Sequence, residues 1–326
     1  MVEKGGAPWG VVRGRKKGLS LMSQSLASGA ATSSRGEPYL ALNERGHVIQ
    51  PGPAIAPRVL ASPARARKLE FELRPGLSLL DAVAEALARA GEPGCRGANL
   101  RLLGGGFGPF AYVIPSLAVS PAHAAYYSET FTPAGETRFE DGCLTFGTRD
   151  GKPWLHCHGL WNEADGKLSG GHILPDDAVI SSPIAVEAWA LDGAMFDTRH
   201  DPETNFNLLG PDADTAHGRG DMEAVALRLK SGEDFALSLA SMVRDMGWNT
   251  ARVVGGVGSV VGVRFADGRI VSPRPTEIYV RSGDVTRDGA ALDIALVDHL
   301  CERFEGRLAA NNPVLMTMEL GLVRTG

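Results

Sequence analysis

The sequence predicts an α+β fold, mainly antiparallel β-sheet with one prominent helix per domain, built from two tandem domains. Three observations predict it. Short segments alternate apolar and polar residues at the two-residue period of half-buried strands. Each half holds one amphipathic stretch at helical spacing. The order strand, turn, helix, strand, glycine-rich segment occurs once from residue 67 and again after residue 222.

Residues 1–66 are rich in Gly, Ser, Ala and Pro and are expected to form a largely disordered arm, with a short strand at "PYLALNERGHVIQ" (residues 38–50). The arm holds nine Lys/Arg against three Glu, so it carries +6 of a chain whose net charge is −5, leaving −11 for the rest. A body that acidic repels phosphate, so any DNA contact is assigned to the arm. Its basic cluster, Arg13, Arg15, Lys16 and Lys17 in "RGRKKG", is similar to the Arg-Gly-Arg core of an AT-hook, with Lys16 standing where such a core continues with proline. A start at Met22 would remove this cluster.

From residue 67 each element follows from local chemistry. "LEFEL" alternates as a strand and Pro75-Gly76 turns the chain. "LSLLDAVAEALARAG" is a helix, with Ser78 and Asp81 near its start and Gly91 after its end. "ANLRLLGGGFG" is an apolar strand running into a glycine turn. Several short strands, a histidine hairpin and the strand segment "AVISSPIAVEAWAL" complete a domain over 67–197. Residues 198–222 have the composition of a linker. The second domain, 223–326, repeats the order, with Gly255-Gly256-Val257-Gly258 matching Gly105-Gly106-Phe107-Gly108 as a second tight turn. Neither glycine run opens a helix within a βαβ unit, so neither reads as a phosphate loop.

Hydrophobic residues make up 44% and charged residues 22% of the chain, a globular composition. No run approaches the roughly 18 to 20 apolar residues that a membrane span needs. The N-terminus lacks the apolar core of a secretory signal. Four scattered cysteines without a CxxC pair argue against a disulfide scaffold and fit a cytoplasmic protein.

The chemistry concentrates in "LHCHGLWNEADGKLSGGH", residues 155–172, which holds three of the chain's eight histidines. His156 and His158 are two apart, so on a strand they share one face, about 7 Å apart along it. Ala164-Asp165-Gly166 suits a three-residue loop closed by a left-handed glycine, and Glu163 then faces Lys167. In that register His172 falls opposite His158, with Cβ atoms about 5 Å apart. Three neutral imidazoles with an open fourth position suit Zn²⁺, with Ni²⁺, Co²⁺ and Fe²⁺ as rivals. Cys157 points to the opposite face and is expected in the core. Glu163, Asp165 and Glu187 are near in sequence, but spacing puts none of them on the ligand face.

The strand, Pro/Ser-Gly turn, helix, strand and "GGVGSV", with the His-x-His strand, the Asp165-Gly166 turn and then Gly170-Gly171-His172-Ile173, resemble the PPC (plants and prokaryotes conserved, DUF296) family. The likeness is specific over 67–197 and holds in outline over 223–326. It implies a compact antiparallel fold with a helix, self-association as a trimer, a metal site at His156, His158 and His172, and a DNA-binding or regulatory role. In the second domain an alignment of Gly166-Lys167-Leu168 with Gly306-Arg307-Leu308 puts Asn312 at the place of His172, and "ALDIAL" (291–296) has no His-x-His. That domain is therefore expected to be metal-free. Two further functions remain open at the hairpin: a metal-dependent enzyme acting on a small molecule, and a structural oligomerisation module.

Overall fold

A computed structural model describes residues 40–214 and 222–326. The basic cluster at Arg13, Arg15, Lys16 and Lys17 lies outside the described residues. The N-terminal half contains β1 (Val59–Leu73), α1 (Leu79–Arg89), β2 (Ala98–Leu103), β3 (Gly106–Phe107), β4 (Tyr112–Val113), β5 (Pro115–Leu117) and β6 (Ala125–Tyr127). It continues through β7 (Thr137–Arg149), β8 (Lys152–Asn162), β9 (Leu168–Ile173), β10 (Ile180–Ser182), β11 (Ile184–Asp192), β12 (Ala194–Asp201) and β13 (Phe206–Ala213). The C-terminal half contains β14 (Ala224–Lys230), α2 (Phe235–Asp245), β15 (Thr250–Arg264), β16 (Ile270–Thr286), β17 (Ala290–Asp298), β18 (Arg303–Arg307) and β19 (Val314–Arg324). This is the expected α+β architecture, mostly antiparallel sheet.

Both helices are set by their caps and one apolar face. The Ser78 hydroxyl accepts from the Asp81 N–H at 3.1 Å, and the Asp234 carboxylate accepts from the Leu237 N–H at 2.9 Å. Leu79, Ala82, Val83, Ala86 and Leu87 turn one face of α1 into the N-terminal core, at the spacing of a helical stripe. Phe235, Leu239, Met242 and Val243 do the same for α2. Gly91 and Gly247, both at positive φ, follow the helix ends.

The strand order is the same in both halves. β11 lies between β1 and β2, and β19 lies between β14 and β15. The ladder β2–β7–β8–β9 has its counterpart in β15–β16–β17–β18. β1 belongs to both systems: Val59–Ala64 pair with β14, and Arg65–Leu73 pair with β11.

Three sequence expectations change here. Residues 40–66 are part of the body: Leu40 and Val48 are buried, Leu42 bridges Val48, and β1 begins eight residues before the expected boundary. Residues 198–213, expected as linker, lie in the antiparallel hairpin of β12 and β13. Polar composition concealed this hairpin, because its charges pair across it, Arg199 with Asp212 among them. Gly255–Gly258 make no tight turn. They lie inside β15, where the register shifts between Val254 and Gly256 and Gly255 takes φ 72°. A Cβ on Gly255 would sit 3.1 Å from that of Asn99, so the bulge glycine allows the two halves to approach.

The halves meet along β7, β15 and β16. Cys143 and Leu160 pack with Val257, Tyr279 and Ala295 in one buried cluster. At its edge Arg281 grips Asp141 with two hydrogen bonds, Nε to Oδ2 at 2.7 Å and Nη2 to Oδ1 at 3.0 Å. The Tyr279 hydroxyl donates to the same carboxylate at 2.6 Å, and Arg303 pairs with Glu140. Among the described residues, no helix is long and apolar enough to cross a membrane.

Asp141→Ala strips acceptors from Arg281 and Tyr279 together. It is expected to cost about 2–3 kcal/mol of unfolding free energy in urea, as for a part-buried charge left unpaired. A loss below about 0.5 kcal/mol would show that this ion pair does not hold the halves together.

Candidate metal centre

The histidine hairpin has the register read from the sequence. Asn162 pairs with Leu168, and four residues in from the turn His158 pairs with His172. The Gly166 N–H donates to the Glu163 carbonyl and the Glu163 N–H to the Lys167 carbonyl, each at 2.9 Å, with Gly166 at φ 88°. Cys157 faces the other way into the apolar core, where burial pushes its thiol well above the usual range. Gly171 permits the strand's close packing: it takes φ 145°, and a Cβ there would lie 2.4 Å from the Val113 carbonyl oxygen. His172 is thereby held against β4, whose Val113 is its partner.

His156, His158 and His172 each present a ring nitrogen, and these three atoms lie within 4.8 Å of one another. His158 and His172 are 2% and 6% exposed. Two carboxylates join them from the C-terminal half, and spacing gave no sign of either. Glu319 on β19 accepts from His156 Nδ1 at 2.9 Å, and its side chain is 1% exposed. Glu277 on β16 brings an oxygen to 3.9 Å from His158 Nε2. Behind Glu319, the Thr317 hydroxyl donates to the carboxylate at 3.4 Å and accepts from Arg228 Nε at 3.2 Å. Arg228 is itself paired with Asp201.

These partners fix the tautomers. A carboxylate and a carbonyl can only accept, so His156 Nδ1 donates to Glu319 and His158 Nδ1 donates to the Ile278 carbonyl at 3.0 Å. In the neutral rings both Nε2 atoms are then bare acceptors, yet they face each other at 3.0 Å. Two lone pairs at that distance repel unless a positive charge sits with them. A proton on His158 is disfavoured, because burial and the neighbouring His156 hold its pKa well below the ordinary imidazole value. Burial and both neighbouring histidines do the same to His172. Glu277 is the complementary case. Burial drives its pKa well above the carboxylate range, the His172 backbone N–H offsets this only in part, and its Oε2 has no hydrogen-bond partner. The residues present therefore fit a divalent cation. Nδ1–H bonds to a carboxylate and a carbonyl are the usual means of aiming Nε2 at a metal.

A cavity of about 50 Å³ adjoins the histidines, floored by His156, His158 and Glu277. Its far wall is the small hairpin of β5 and β6, which carries Tyr126 and Tyr127, together with Phe206 of β13. Tyr127 packs on His172 with ring centroids 5.2 Å apart.

Among the described residues of the C-terminal half there is no such triad, and the register of its hairpin differs from the one read from the sequence. Its hairpin has the same turn, with Cys301 at φ 64° in the place of Gly166. Val297 pairs with Arg303, and four residues in Asp293 pairs with Arg307. Arg307, rather than Asn312, thus occupies the place of His172, and Asp293 that of His158. Asn312 is instead buried beside α2, bonded to Arg264 and Ala309.

In the metal-free protein the two depressed imidazoles set a pH dependence. Their folded pKa values lie below the unfolded value of about 6.5, so the unfolded chain binds more protons as pH falls below that point. Their contribution is full above pH ~6.5 and declines below it, by up to about 1.4 kcal/mol per pH unit for each ring. Glu277, with its pKa raised, runs the opposite way, so a comparison of variants isolates the histidines. After chelation, melting temperature is expected to fall less between pH 7 and 5 in His158→Asn/His172→Asn than in the wild type; equal slopes would contradict the assignment.

No family model and no curated protein matches the sequence. Among solved structures, the chain is similar to a PPC protein from Pyrococcus horikoshii at 15% identity and TM-score 0.36, covering 45% of this chain and 93% of that one. A protein from Archaeoglobus fulgidus described as metal-containing is 20% identical at TM-score 0.34, over 44% of this chain and 92% of its own. A protein from Ralstonia eutropha JMP134, provisionally described as DNA-binding, is 18% identical at TM-score 0.32, over 45% and 95%. The histidine hairpin keeps the motif residues by which the sequence resembles the PPC family.

Proposed function

We propose that the protein binds one divalent metal ion per chain at His156, His158 and His172, in a buried site that serves a small molecule. The observation carrying this reading is the pair of bare Nε2 atoms facing each other at 3.0 Å, with burial resisting protonation of His158. Zinc suits the three-imidazole set best, with nickel, cobalt and iron as rivals. Such an ion would supply Lewis acidity towards an oxygen-bearing ligand. Glu319 orients His156, the Ile278 carbonyl orients His158, and a cavity adjoins them. Histidines this buried cannot meet a DNA duplex. The C-terminal half is a second copy of the domain that has given up its own triad and become the wall of this one.

A DNA contact is a separate reading, favoured by the +4 charge of residues 1–39 (six Lys/Arg against two Glu) and carried by Arg13, Arg15, Lys16 and Lys17. Replacing all four by alanine is expected to abolish any shift of an AT-rich duplex. A shift left intact would remove the arm from the account.

Elemental analysis of purified, untagged protein tests the metal reading. About one zinc, nickel, cobalt or iron per chain is expected in the wild type and none in His156→Ala/His158→Ala. Glu319→Gln is expected to weaken metal affinity by about 10–100-fold while leaving the fold intact. Metal-free wild-type protein after supplementation would contradict the proposal.

A further inference from the structure

The cavity beside the triad is unevenly furnished. Its walls are Tyr126, Tyr127, Phe206, Leu208 and Met316. Three hydroxyls that line or adjoin it make hydrogen bonds inside the protein. Thr276 donates to the Val260 carbonyl at 2.9 Å, and Ser259 accepts from the Met316 N–H at 3.1 Å. Thr317 is held between Arg228 and Glu319. What is left unspent is at the floor: the Glu277 Oε2, which has no hydrogen-bond partner, and the imidazole edges. A ligand that filled this space would therefore meet an unpartnered carboxyl oxygen at one end and aromatic and aliphatic side chains at the other. The volume, about 50 Å³ where one water needs about 10–15 Å³ on the same measure, suits a body of a few heavy atoms beyond the head.

We propose that this cavity binds a small ligand with one hydrogen-bearing oxygen head, held between the three-histidine centre and Glu277, and a short apolar body packed against Tyr126, Tyr127 and Phe206. This rests on the metal site proposed above and narrows its ligand class. Additional hydroxyls or phosphates set against the Tyr126, Tyr127 and Phe206 rings would lose hydration there, which favours an apolar body over a polyol, sugar or nucleotide. Glu277 is the residue that distinguishes the site from a plain three-histidine centre. It comes from the opposite half of the chain and carries the acceptor that the head's hydrogen requires.

The test uses two hydroxamic acids with the same metal-seeking head, acetohydroxamic and butyrohydroxamic acid, titrated calorimetrically into zinc-loaded full-length protein of measured metal content. Butyrohydroxamic acid is expected to bind about tenfold tighter, from burial of its two extra methylenes. Glu277→Gln, nearly isosteric and chosen to preserve the fold, is expected to weaken both by about tenfold or more and to leave their ratio unchanged. Equal affinities for the two acids would overturn the apolar body. Unchanged affinities in Glu277→Gln would overturn the role of that carboxyl. If neither acid binds protein that carries its full zinc, the ligand inference falls while the metal site stands. If the protein takes up no zinc, the metal reading itself has failed.

Discussion

The structure turns on two imidazole nitrogens that face each other in a buried place. Each of the rings is oriented from the opposite half of the chain, His156 by Glu319 on β19 and His158 by the Ile278 carbonyl on β16. Everything nearby serves that constraint. Gly171 lets β9 lie against β4 so that His172 completes the set, and the Gly255 bulge allows the halves to close. The buried cluster around Tyr279 and the Arg281–Asp141 pair hold β16 in place. The site is incomplete in either half alone.

This division of labour gives the repeated strand order a physical sense. In the N-terminal hairpin the triad is intact. In its C-terminal counterpart the same turn geometry carries Asp293 and Arg307 where two of the histidines would be. The two halves are complementary at the site: one presents imidazoles, the other presents the carboxylates that face them. Shared strand β1, paired with β14 along one stretch and β11 along the next, makes the two sheets continuous rather than two beads on a linker.

The hairpin was legible in the sequence because its rules are local. Side chains alternate with period two, Gly166 closes a short loop, and the Glu163–Lys167 placement fixes the register, so the His158–His172 pairing followed by counting. Both helices were legible for the same reason, through Ser78, Asp81 and the spacing of apolar residues. Glu277 and Glu319 were not, since they lie over a hundred residues from the hairpin and reach it only through tertiary packing. Their one local mark is a carboxylate inside an apolar strand, in "TEIYV" and "MTMELGLV". A charge in such a run must find a partner, but sequence does not say which. The 198–213 hairpin and the Gly255–Gly258 bulge were missed because polar composition and glycine runs mark several backbone states equally well.

The most direct test of the central claim is anomalous diffraction from crystals of protein purified without chelator, with data collected on either side of the zinc, nickel, cobalt and iron edges. The account predicts one strong anomalous peak per chain, at bonding distance from His156, His158 and His172 and beside Glu277, and none at Asp293 and Arg307. A site without such a peak, with His156 or His158 turned so that its Nε2 bonds to protein or water, would contradict it.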